Sequence, residues 1–326
     1  MTDKKNDIEQ MRQMHTVLVL HFVEGKKQSE IAELLNLSTS KVNRLITQGR
    51  KMGMVKIDIE NPFQRLTDLE KLLEGTTSLS RALVTSSVPG SSATTLKQVG
   101  RSAANHLVET LRDGDVIAIT GGKAVGAVVQ NIETDRKLDV TVVPLTGGVQ
   151  GKYYTDVNHL ATQLAERLGG NAMLVHAPLF AESREQRDML MEVASIKQVF
   201  EIARKATVAL VGVGSIKTPG SSYYDLLPMS EADRKMLTGT GVVAEFLAHL
   251  IRQNGTVADF AVNSRLVALR PEELHHCSRV IGVASGEEKV LPIQAVLNGS
   301  HLHSLIVDEE TANAVLDTME GAQNVA

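Results

Sequence analysis

The sequence predicts an α/β protein in which a small N-terminal winged helix-turn-helix domain precedes a larger α/β domain with a mostly parallel sheet. Three observations support this fold class. Residues 28–46 have the apolar spacing of two short amphipathic helices, and a β-branched strand followed by a glycine-containing loop occurs four times after residue 115. The chain has no Trp and only 3% aromatic residues, so its core must consist of Leu, Val, Ile and Ala, which suits a sheet covered by helices.

The length and charge of the chain indicate two domains with different tasks. Its 326 residues exceed the usual size of one domain. Residues 1–60 carry a net charge of +2 and the remainder carries −6, so contact with DNA belongs to the N-terminal end. The single cysteine, Cys277, cannot form an internal disulfide, and no apolar run has the length of a membrane span. We therefore expect a cytoplasmic protein with no membrane partner.

The first element that the sequence predicts is a pair of helices between Gln28 and Ile46. Each helix has three apolar residues at positions i, i+3 and i+4, which form a stripe where two helices pack. These residues are Ile31, Leu34 and Leu35 in the first helix, and Val42, Leu45 and Ile46 in the second. Between the helices, Asn36 tolerates a left-handed backbone and the Ser38 hydroxyl can cap the second helix. This is the pattern of a DNA-reading helix-turn-helix.

The polar face of the second helix carries side chains of the types that read DNA. If the apolar stripe points inward, the residues that face a major groove are Ser40, Asn43, Arg44 and Thr47. The residues better placed for the DNA backbone are Gln28, Thr39 and Lys41, and the capping residue Ser38 is also counted among the DNA-binding residues. An ordinary helical hairpin with a solvated basic face is the alternative interpretation. The cap, the turn and the polar face agree in one register, however, and favour double-stranded DNA as the partner.

Two further elements are predicted before the larger domain. Residues 53–59 alternate between apolar and polar side chains, which predicts a small β-wing that completes a DNA-binding domain of residues 1–60. In the linker, residues 61–77, Leu66, Leu69 and Leu73 follow helical spacing. This helix could pack on the larger domain or pair with a second copy. We favour a homodimer or homotetramer, because pairing would place two DNA-reading helices on two half-sites.

Residues 78–326 are predicted to form a mostly parallel sheet whose loops gather at one edge. In a sheet of strands joined by helices, the loops at the carboxyl ends of the strands bind ligands. The four strand–loop units are Val116–Thr120 with Gly121-Gly122-Lys123, Val140–Leu145 with Thr146-Gly147-Gly148, Val208–Val211 with residues 212–215, and Val280–Ala284 with residues 285–289.

The glycines in these loops indicate an anionic guest. Glycine lets backbone N–H groups turn toward an anion, and the N-terminus of the following helix adds positive potential, so we expect a phosphate group. Lys123 or Lys289 could supply a point charge. None of the loops has Walker or dinucleotide-binding spacing, which argues against nucleotide hydrolysis. A lone glycine pair is more often a tight turn, but the recurrence of such loops at one edge favours a binding site.

A group of histidines and a run of acidic residues near the C-terminus are interpreted as structural features and not as metal or catalytic sites. His275-His276 beside Cys277, together with His301 and His303, lack the spacing of a metal site, so we expect no metal or other cofactor. Asp308-Glu309-Glu310 follows a predicted strand and opens a helix, where acidic side chains complement the helix dipole. We therefore expect these acids to cap that helix.

The order of these features resembles the SorC/DeoR-type sugar-binding transcriptional regulators over nearly the whole chain. The matching segments are residues 35–45, 53–55, 117–122, 143–148, 176–179, 210–215, 283–289 and 306–311. The resemblance implies an effector domain, residues 78–326, similar to the phosphosugar-isomerase and CoA-transferase-like fold. It also implies that this domain senses a phosphorylated sugar or polyol and thereby changes the affinity of the protein for operator DNA.

For the ligand site, the resemblance indicates the residues Gly121, Gly122, Lys123, Gly147, Gly148, Gly214, Ser215, Asp259, Glu287 and Lys289. An alternative function is a phosphosugar isomerase-like enzyme with an appended DNA-binding domain. Such an enzyme needs an acid/base pair over the sugar carbons, and beyond Asp259 and Glu287 no such arrangement stands out. A constitutive architectural DNA protein would need more basic charge than the larger domain has. We therefore expect a regulator of a carbohydrate-catabolism operon that is not an enzyme and has no catalytic residues.

Overall fold

The computed structural model describes residues 2–57, 66–149, 156–216, 237 and 239–323. The chain divides into two units, residues 1–61 and 62–326, and each has an apolar core of its own. In the described part of the chain, no helix is both long enough and apolar enough to cross a membrane.

In residues 2–57, the N-terminal unit has three α-helices around a small apolar core. α1 (Thr2–Leu18) continues into a short π-helical turn, and α2 (Gln28–Leu34) and α3 (Thr39–Lys51) form the predicted helix pair. α1 was not predicted, although it supplies three of the buried residues. Leu34, which helical spacing assigns to the apolar stripe, is instead 62% exposed at the last residue of α2. The core residues are Met14, Val17, Leu18, Leu20, Ile31, Ala32, Val42, Leu45 and Ile46.

The described residues do not form the predicted β-wing. Residues 54–57 follow α3 without regular secondary structure, and residues 58–65 lie outside the described part of the chain. A strand requires a partner strand for its hydrogen bonds. The N–H of Met54 instead donates to the Gly49 carbonyl of α3 at 3.0 Å, so the chain begins this segment by continuing to bond to the helix.

The larger unit alternates strands and helices over most of its described residues. The elements within these residues are α4 (Thr67–Thr76), β1 (Arg81–Thr85), α5 (Ser92–Thr110), β2 (Val116–Ile119), α6 (Lys123–Gln130), β3 (Thr141–Pro144), α7 (Val157–Leu168), β4 (Asn171–Ala172), α8 (Arg184–Glu192), α9 (Ala194–Ala203), β5 (Val208–Gly212), β6 (Gly214–Ser215), β7 (Val242–Phe246), β8 (His249–Arg252), α10 (Ala261–Ser264), β9 (Arg279–Val283), α11 (Val290–Asn298), β10 (Ser304–Asp308) and α12 (Glu309–Gln323). The four predicted strands are confirmed as β2, β3, β5 and β9, each within one residue at either end.

Seven strands of the described chain form one parallel sheet, in the order β1-β10-β9-β5-β2-β3-β4. β2 lies at its turning point, because Ile117 pairs with Val142 of β3 on one side and with Val208 of β5 on the other. The chain moves outward from β2 to β4 and then returns to β5, so the direction of winding changes between β2 and β5. In open α/β sheets, this change creates a crevice at the carboxyl ends of the strands.

A second sheet, which was not predicted, begins at this edge. β6, β7 and β8 are antiparallel, and only Val213 separates β6 from the carboxyl end of β5. Leu247 and Ala248 join β7 to β8 in a tight turn and both have positive φ. The antiparallel sheet therefore supplies residues next to the crevice of the parallel sheet.

α4 packs on the edge strand β1 of the same unit. Leu73 is fully buried, and Leu66 and Leu69 pack against the same core. The N–H groups of Ala82 and Val84 in β1 donate to the side chains of Glu74 and Glu70 in α4, at 2.9 and 3.1 Å. Of the two alternatives for this helix, the structure favours packing on the larger domain, because the leucines of the predicted seam contact the core.

At the amino ends of the strands, on the side of the sheet away from the crevice, Asp115 joins three strands. Its carboxylate accepts hydrogen bonds from the Thr207 hydroxyl at 2.6 Å and from Arg279 Nη2 at 2.7 Å. Burial alone would raise the pKa of Asp115, but the hydrogen bonds from Thr207, from the Arg112 N–H and from Arg279 together lower it. Asp115 thus stabilises the starts of β2, β5 and β9 as an ionised acceptor.

Candidate functional site

The predicted DNA-reading side chains lie on the outer face of α3. Ser38 is the N-cap, and its hydroxyl accepts a hydrogen bond from the Lys41 N–H at 3.2 Å. Asn36 has a φ of +52°, in the left-handed region predicted for it. The apolar face of α3 is buried, whereas Ser38, Thr39, Ser40, Asn43, Arg44 and Thr47 are exposed, and Gln28 and Lys41 are half-buried. The geometry therefore suits insertion of the polar face into a major groove.

Gly49 lies where α3 contacts Leu18 of α1. A Cβ atom at this position would lie 2.6 Å from Leu18 Cδ1, so a larger residue would displace the buried Leu18 side chain. Near the end of α3, the Arg50 guanidinium lies over the Phe22 ring, 5.2 Å from its centroid. The missed helix α1 is therefore the support that holds the recognition helix in place.

Thr120 connects the two strands that border the crevice of the larger unit. Its N–H donates to the Leu210 carbonyl at 3.2 Å, and its hydroxyl accepts from the Gly212 N–H at 3.3 Å. Gly122 follows as the N-cap of α6 with a φ of +124°, a conformation that side chains with a Cβ rarely adopt. The first turn of α6 consequently presents backbone N–H groups without intrahelical acceptors at the carboxyl end of β2.

Three charged side chains interact electrostatically in this region: Lys123 on α6, Lys289 on the turn after β9, and Glu245 on β7. Burial lowers the pKa of Lys289, Glu288 and Glu245 oppose this change, and Lys123 adds to it. Burial raises the pKa of Glu245 to about 7, against a 2.6 Å hydrogen bond from the Ala248 N–H and the charge of Lys289. A bound anion would stabilise the protonated form of Lys289.

Glu245 is the residue of this cluster that the sequence analysis missed. It is the single acidic residue in the apolar run Val242–Ile251, and this isolation was a usable signal. It pairs with Gly214 across β6 and β7, which brings the predicted Gly214 into the site. The two ammonium groups can bind a phosphate. The Glu245 carboxylate, whose pKa is about 7, can accept hydrogen bonds from hydroxyl groups.

Gly147 and Gly148 do not offer their N–H groups to an anion, which corrects the prediction for the loop after β3. The Gly147 N–H donates to the Val267 carbonyl at 2.7 Å, and the Gly148 N–H donates to the Ala177 carbonyl at 2.9 Å. A Cβ atom at position 147 would also collide with the backbone of Pro178. Gly147 therefore allows close packing of a chain segment that is distant in sequence, and the N–H groups of both glycines bond to such segments.

The remaining predicted ligand residues differ in their positions. Gly121, Gly122 and Lys123 lie at the carboxyl end of β2, and Glu287 is exposed in the turn that ends at Lys289. Ser215 is buried in β6. Asp259 is exposed in the loop between β8 and α10, which belongs to the antiparallel sheet. The structure thus brings the loops after β2, β5 and β9 together and leaves Asp259 on a separate segment.

Other polar residues have structural roles. Asp308 Oδ1 accepts a hydrogen bond from the Thr311 N–H at 3.1 Å, which confirms the predicted capping of α12 by this acid. His301 Nε2 lies 2.8 Å from the Gly255 carbonyl oxygen, and its ring stacks on Phe246. Among the described residues, no group of three His, Cys, Asp or Glu side chains could hold a metal ion.

Comparison with known proteins identifies relatives along nearly the whole chain. Residues 61–317 match the protein family described as "Putative sugar-binding domain", and residues 12–52 match "Sigma-70, region 4". The chain is 29% identical over 305 residues to the erythritol catabolism regulatory protein EryD of Brucella abortus (strain 2308), covering 93% of this chain and 95% of the relative. It is 26% identical over 301 residues to the deoxyribonucleoside regulator of Bacillus subtilis (strain 168), covering 92% and 96%. The crystal structure of the full-length sorbitol operon regulator SorC from Klebsiella pneumoniae is similar with a TM-score of 0.76 at 26% identity, covering 94% of this chain and 98% of that chain.

Proposed function

Since the chain belongs to the family of SorC/DeoR-type sugar-binding transcriptional regulators, we propose that it binds operator DNA and changes its DNA affinity when a phosphorylated sugar or polyol binds. In this proposal, residues 1–60 read DNA in the cytoplasm, residues 61–77 link the domains, and residues 78–326 sense the effector. The controlled genes belong to a carbohydrate-catabolism operon. The observation that carries the proposal is the exposed, capped recognition helix on the same chain as a crevice with two lysines.

On the DNA side, Asn43 and Arg44 read base edges and Lys41 binds a phosphate. Arg forms two hydrogen bonds with guanine and Asn forms two with adenine, whereas a lysine contact with phosphate carries no sequence information. Asn43 and Arg44 are exposed on the face opposite the core of the unit, as are the other predicted groove-facing residues Ser40 and Thr47. The remaining DNA contacts come from Gln28, Ser38, Thr39, Ser40 and Thr47.

On the effector side, we assign the phosphate to Lys289, Lys123 and the first turn of α6. The desolvated ammonium of Lys289 gains a countercharge when an anion binds. Glu245 then accepts hydrogen bonds from hydroxyl groups of the same ligand. The related proteins are named for the regulation of erythritol catabolism, of deoxyribonucleosides and of a sorbitol operon, which supports a polyhydroxylated ligand. Gly121, Gly122, Gly214 and Glu287 border this site, while Gly147, Gly148, Ser215 and Asp259 belong to its surroundings.

A second copy of the chain is part of the proposal, because paired recognition helices on two half-sites bind DNA with defined spacing. Effector binding changes the DNA affinity only if the ligand binds two arrangements of the protein with different affinities. The relatives are named as regulators, which favours ligand binding without turnover. Incubation with phosphosugars, followed by NMR of the small molecules, tests this point, since an isomerised product would identify an enzyme.

A thermal-shift screen of the full chain against phosphorylated sugars and polyols, with their unphosphorylated parents, tests the effector assignment. A ligand that binds the native state raises the melting temperature. We expect stabilisation by a phosphorylated compound and none by its parent. If no phosphorylated compound stabilises the protein, the assignment of Lys289 and Lys123 to phosphate is wrong. Selection of bound fragments from random DNA tests the other end, and recovery of no common sequence would contradict operator binding.

A further inference from the structure

Hydrogen bonds join the turn after β9 to the loop after β1, and the backbone of β1 connects that loop to the residues that bond to α4. We propose that Asp308 and Thr311 form a relay through which a change in the turn at residues 285–289 reaches α4, the helix that follows the DNA-reading unit. Asp308 and Thr311 are positioning residues in this relay and do not themselves contact the effector. Their role in signalling rests on the proposed function, but the physical coupling exists or fails independently of any ligand.

The relay begins at Gly286. Its N–H donates to the Thr311 hydroxyl oxygen at 2.9 Å, and that hydroxyl donates to Asp308 Oδ2 at 2.7 Å. Thr311 and Asp308 are only 1% and 2% exposed, so water cannot replace a lost partner. Gly286 has a φ of +114° and lies three residues before Lys289. A rearrangement of the turn around a bound anion therefore acts directly on Thr311.

The second carboxylate oxygen of Asp308 continues the relay to β1. Asp308 Oδ1 accepts from the Ser87 hydroxyl at 2.9 Å, and the Ser87 oxygen accepts from the Glu310 N–H at 3.0 Å. Burial would raise the pKa of Asp308, but hydrogen bonds from Thr311, Ser285 and Ser87 lower it, so the carboxylate is ionised. Ser87 follows β1 by two residues, and Thr85 of β1 pairs with Asp308 in the sheet.

From β1 the relay passes to α4 through the two glutamates. The outward N–H groups of Ala82 and Val84 donate to Glu74 and Glu70, so a shift of β1 must move α4 or break these bonds. α4 begins at Thr67, six residues after Asn61, the last residue of the DNA-reading unit. The relay thus ends on the segment of the larger unit that lies nearest to that unit in sequence.

Helix capping alone does not require this arrangement. A cap of α12 needs only the hydrogen bond from the Thr311 N–H to Asp308. The bond from the Gly286 N–H to the Thr311 hydroxyl adds nothing to the cap. The Ser87 hydroxyl caps the Glu310 N–H and also donates to Asp308, so these bonds connect two loops that are about 200 residues apart in sequence. Loss of one of these bonds leaves a polar group of buried Asp308 or Thr311 without a partner, which favours rearrangement of the others.

Amide hydrogen exchange of the full-length protein tests the relay from both ends. Thr311→Val removes the shared hydroxyl, and we expect exchange at Ala82 and Val84 to accelerate at least about fivefold, the effect of losing one net hydrogen bond. Glu74→Ala removes the acceptor on α4, and we expect exchange at Gly286 to accelerate by a similar factor. Because coupling between sites is reciprocal, both changes must appear.

Matched variants separate the relay from general loss of stability. Thr207→Val removes a similar Thr–Asp hydrogen bond at the opposite edge of the sheet, and Lys71→Ala changes an exposed residue of α4. Neither should accelerate exchange at Ala82, Val84 or Gly286 beyond its effect on global unfolding. Thr311→Ser keeps the hydroxyl and should restore the wild-type rates. If each variant changes exchange only at its own end, or if Thr207→Val acts as strongly as Thr311→Val, the relay is refuted even where the effector and DNA assignments hold.

Discussion

Gly214 of β6 faces Glu245 of β7 so closely that a Cβ atom at position 214 would collide with the Glu245 carboxylate. The carboxylate cannot simply turn away, because it accepts a hydrogen bond from the Ala248 N–H at 2.6 Å. The absence of a side chain at position 214 therefore makes room for the Glu245 carboxyl group beside the crevice.

Gly214→Ala tests this close contact. We expect the free energy of unfolding to fall by about 1–3 kcal/mol, the usual cost of overpacking a tight site. Urea denaturation measures the change. Gly148→Ala is the matched control, since its nearest neighbours would lie at 3.8 Å, within ordinary contact distance. Equal losses in the two variants would show that the Glu245 contact is not the cause.

The raised pKa of Glu245 predicts a pH-dependent contribution to stability. The folded protein holds a proton on this carboxyl up to a pKa of about 7, whereas the unfolded chain releases it near 4.5, so the folded state binds more protons between these values. The unfolding free energy of wild type minus that of Glu245→Gln should therefore fall by about 3 kcal/mol from pH 4.5 to 7 and stay constant above pH 8.

The comparison with Glu245→Gln is necessary because His249 titrates in the opposite sense. Burial lowers the pKa of His249 to about 4, so its contribution is complete above the unfolded value of 6.5 and is lost as the pH falls toward 4. This residue is present in both proteins and cancels in the difference. A difference that is flat between pH 4.5 and 7 would contradict the raised pKa of Glu245.

Lys289→Met is predicted to weaken binding of the phosphorylated compound found in the thermal-shift screen. Loss of a charge-assisted contact should lower the affinity by about 10- to 100-fold, because such contacts contribute about 1.5–3 kcal/mol. Isothermal titration calorimetry measures this change, and operator binding without effector should be retained. The exposed Lys71→Met is the control. An unchanged affinity in Lys289→Met would remove this side chain from the phosphate site.

On α3, Arg44→Ala and Lys41→Ala should have different effects. Removal of Arg44 should cost about 1–3 kcal/mol on the selected operator and relax the preference at one base pair. Removal of Lys41 should weaken all DNA sequences equally and lower the salt dependence by about one ion. Fluorescence anisotropy at several salt concentrations distinguishes these results. Equal loss of affinity on specific and random DNA for Arg44→Ala would exclude base reading by this residue.

The features that follow from local sequence patterns could be predicted. The helix pair with its Ser38 cap and the strand–loop units at β2, β3, β5 and β9 depend on periodicity and on residues close in sequence. The missed elements depend on distant partners. The short strand β6 is defined by pairing with β7, across more than 25 residues, and α1 has a low apolar content apart from the residues that contact α3.

Prediction of the candidate site is limited in the same way, by contacts between residues that are distant in sequence. The pair Gly147-Gly148 looks like Gly121-Gly122 in sequence, yet its N–H groups bond to carbonyls about 30 and 120 residues away. No local pattern contains that information. Glu245 could have been noticed as one acid in an apolar run, but its proximity to Lys289 depends on how β7 packs beside the turn after β9.

The contact between α4 and β1 also limits how copies of this protein can associate. An edge strand with unbonded N–H groups invites another strand to join it, which is a common route to aggregation. Here the outward N–H groups of Ala82 and Val84 are already bonded to glutamates, and the opposite edge ends in β4, a strand of two residues. Strand addition at β1 would first have to displace two carboxylates. The β1 edge of the parallel sheet is therefore protected against a sheet that continues from one molecule into the next.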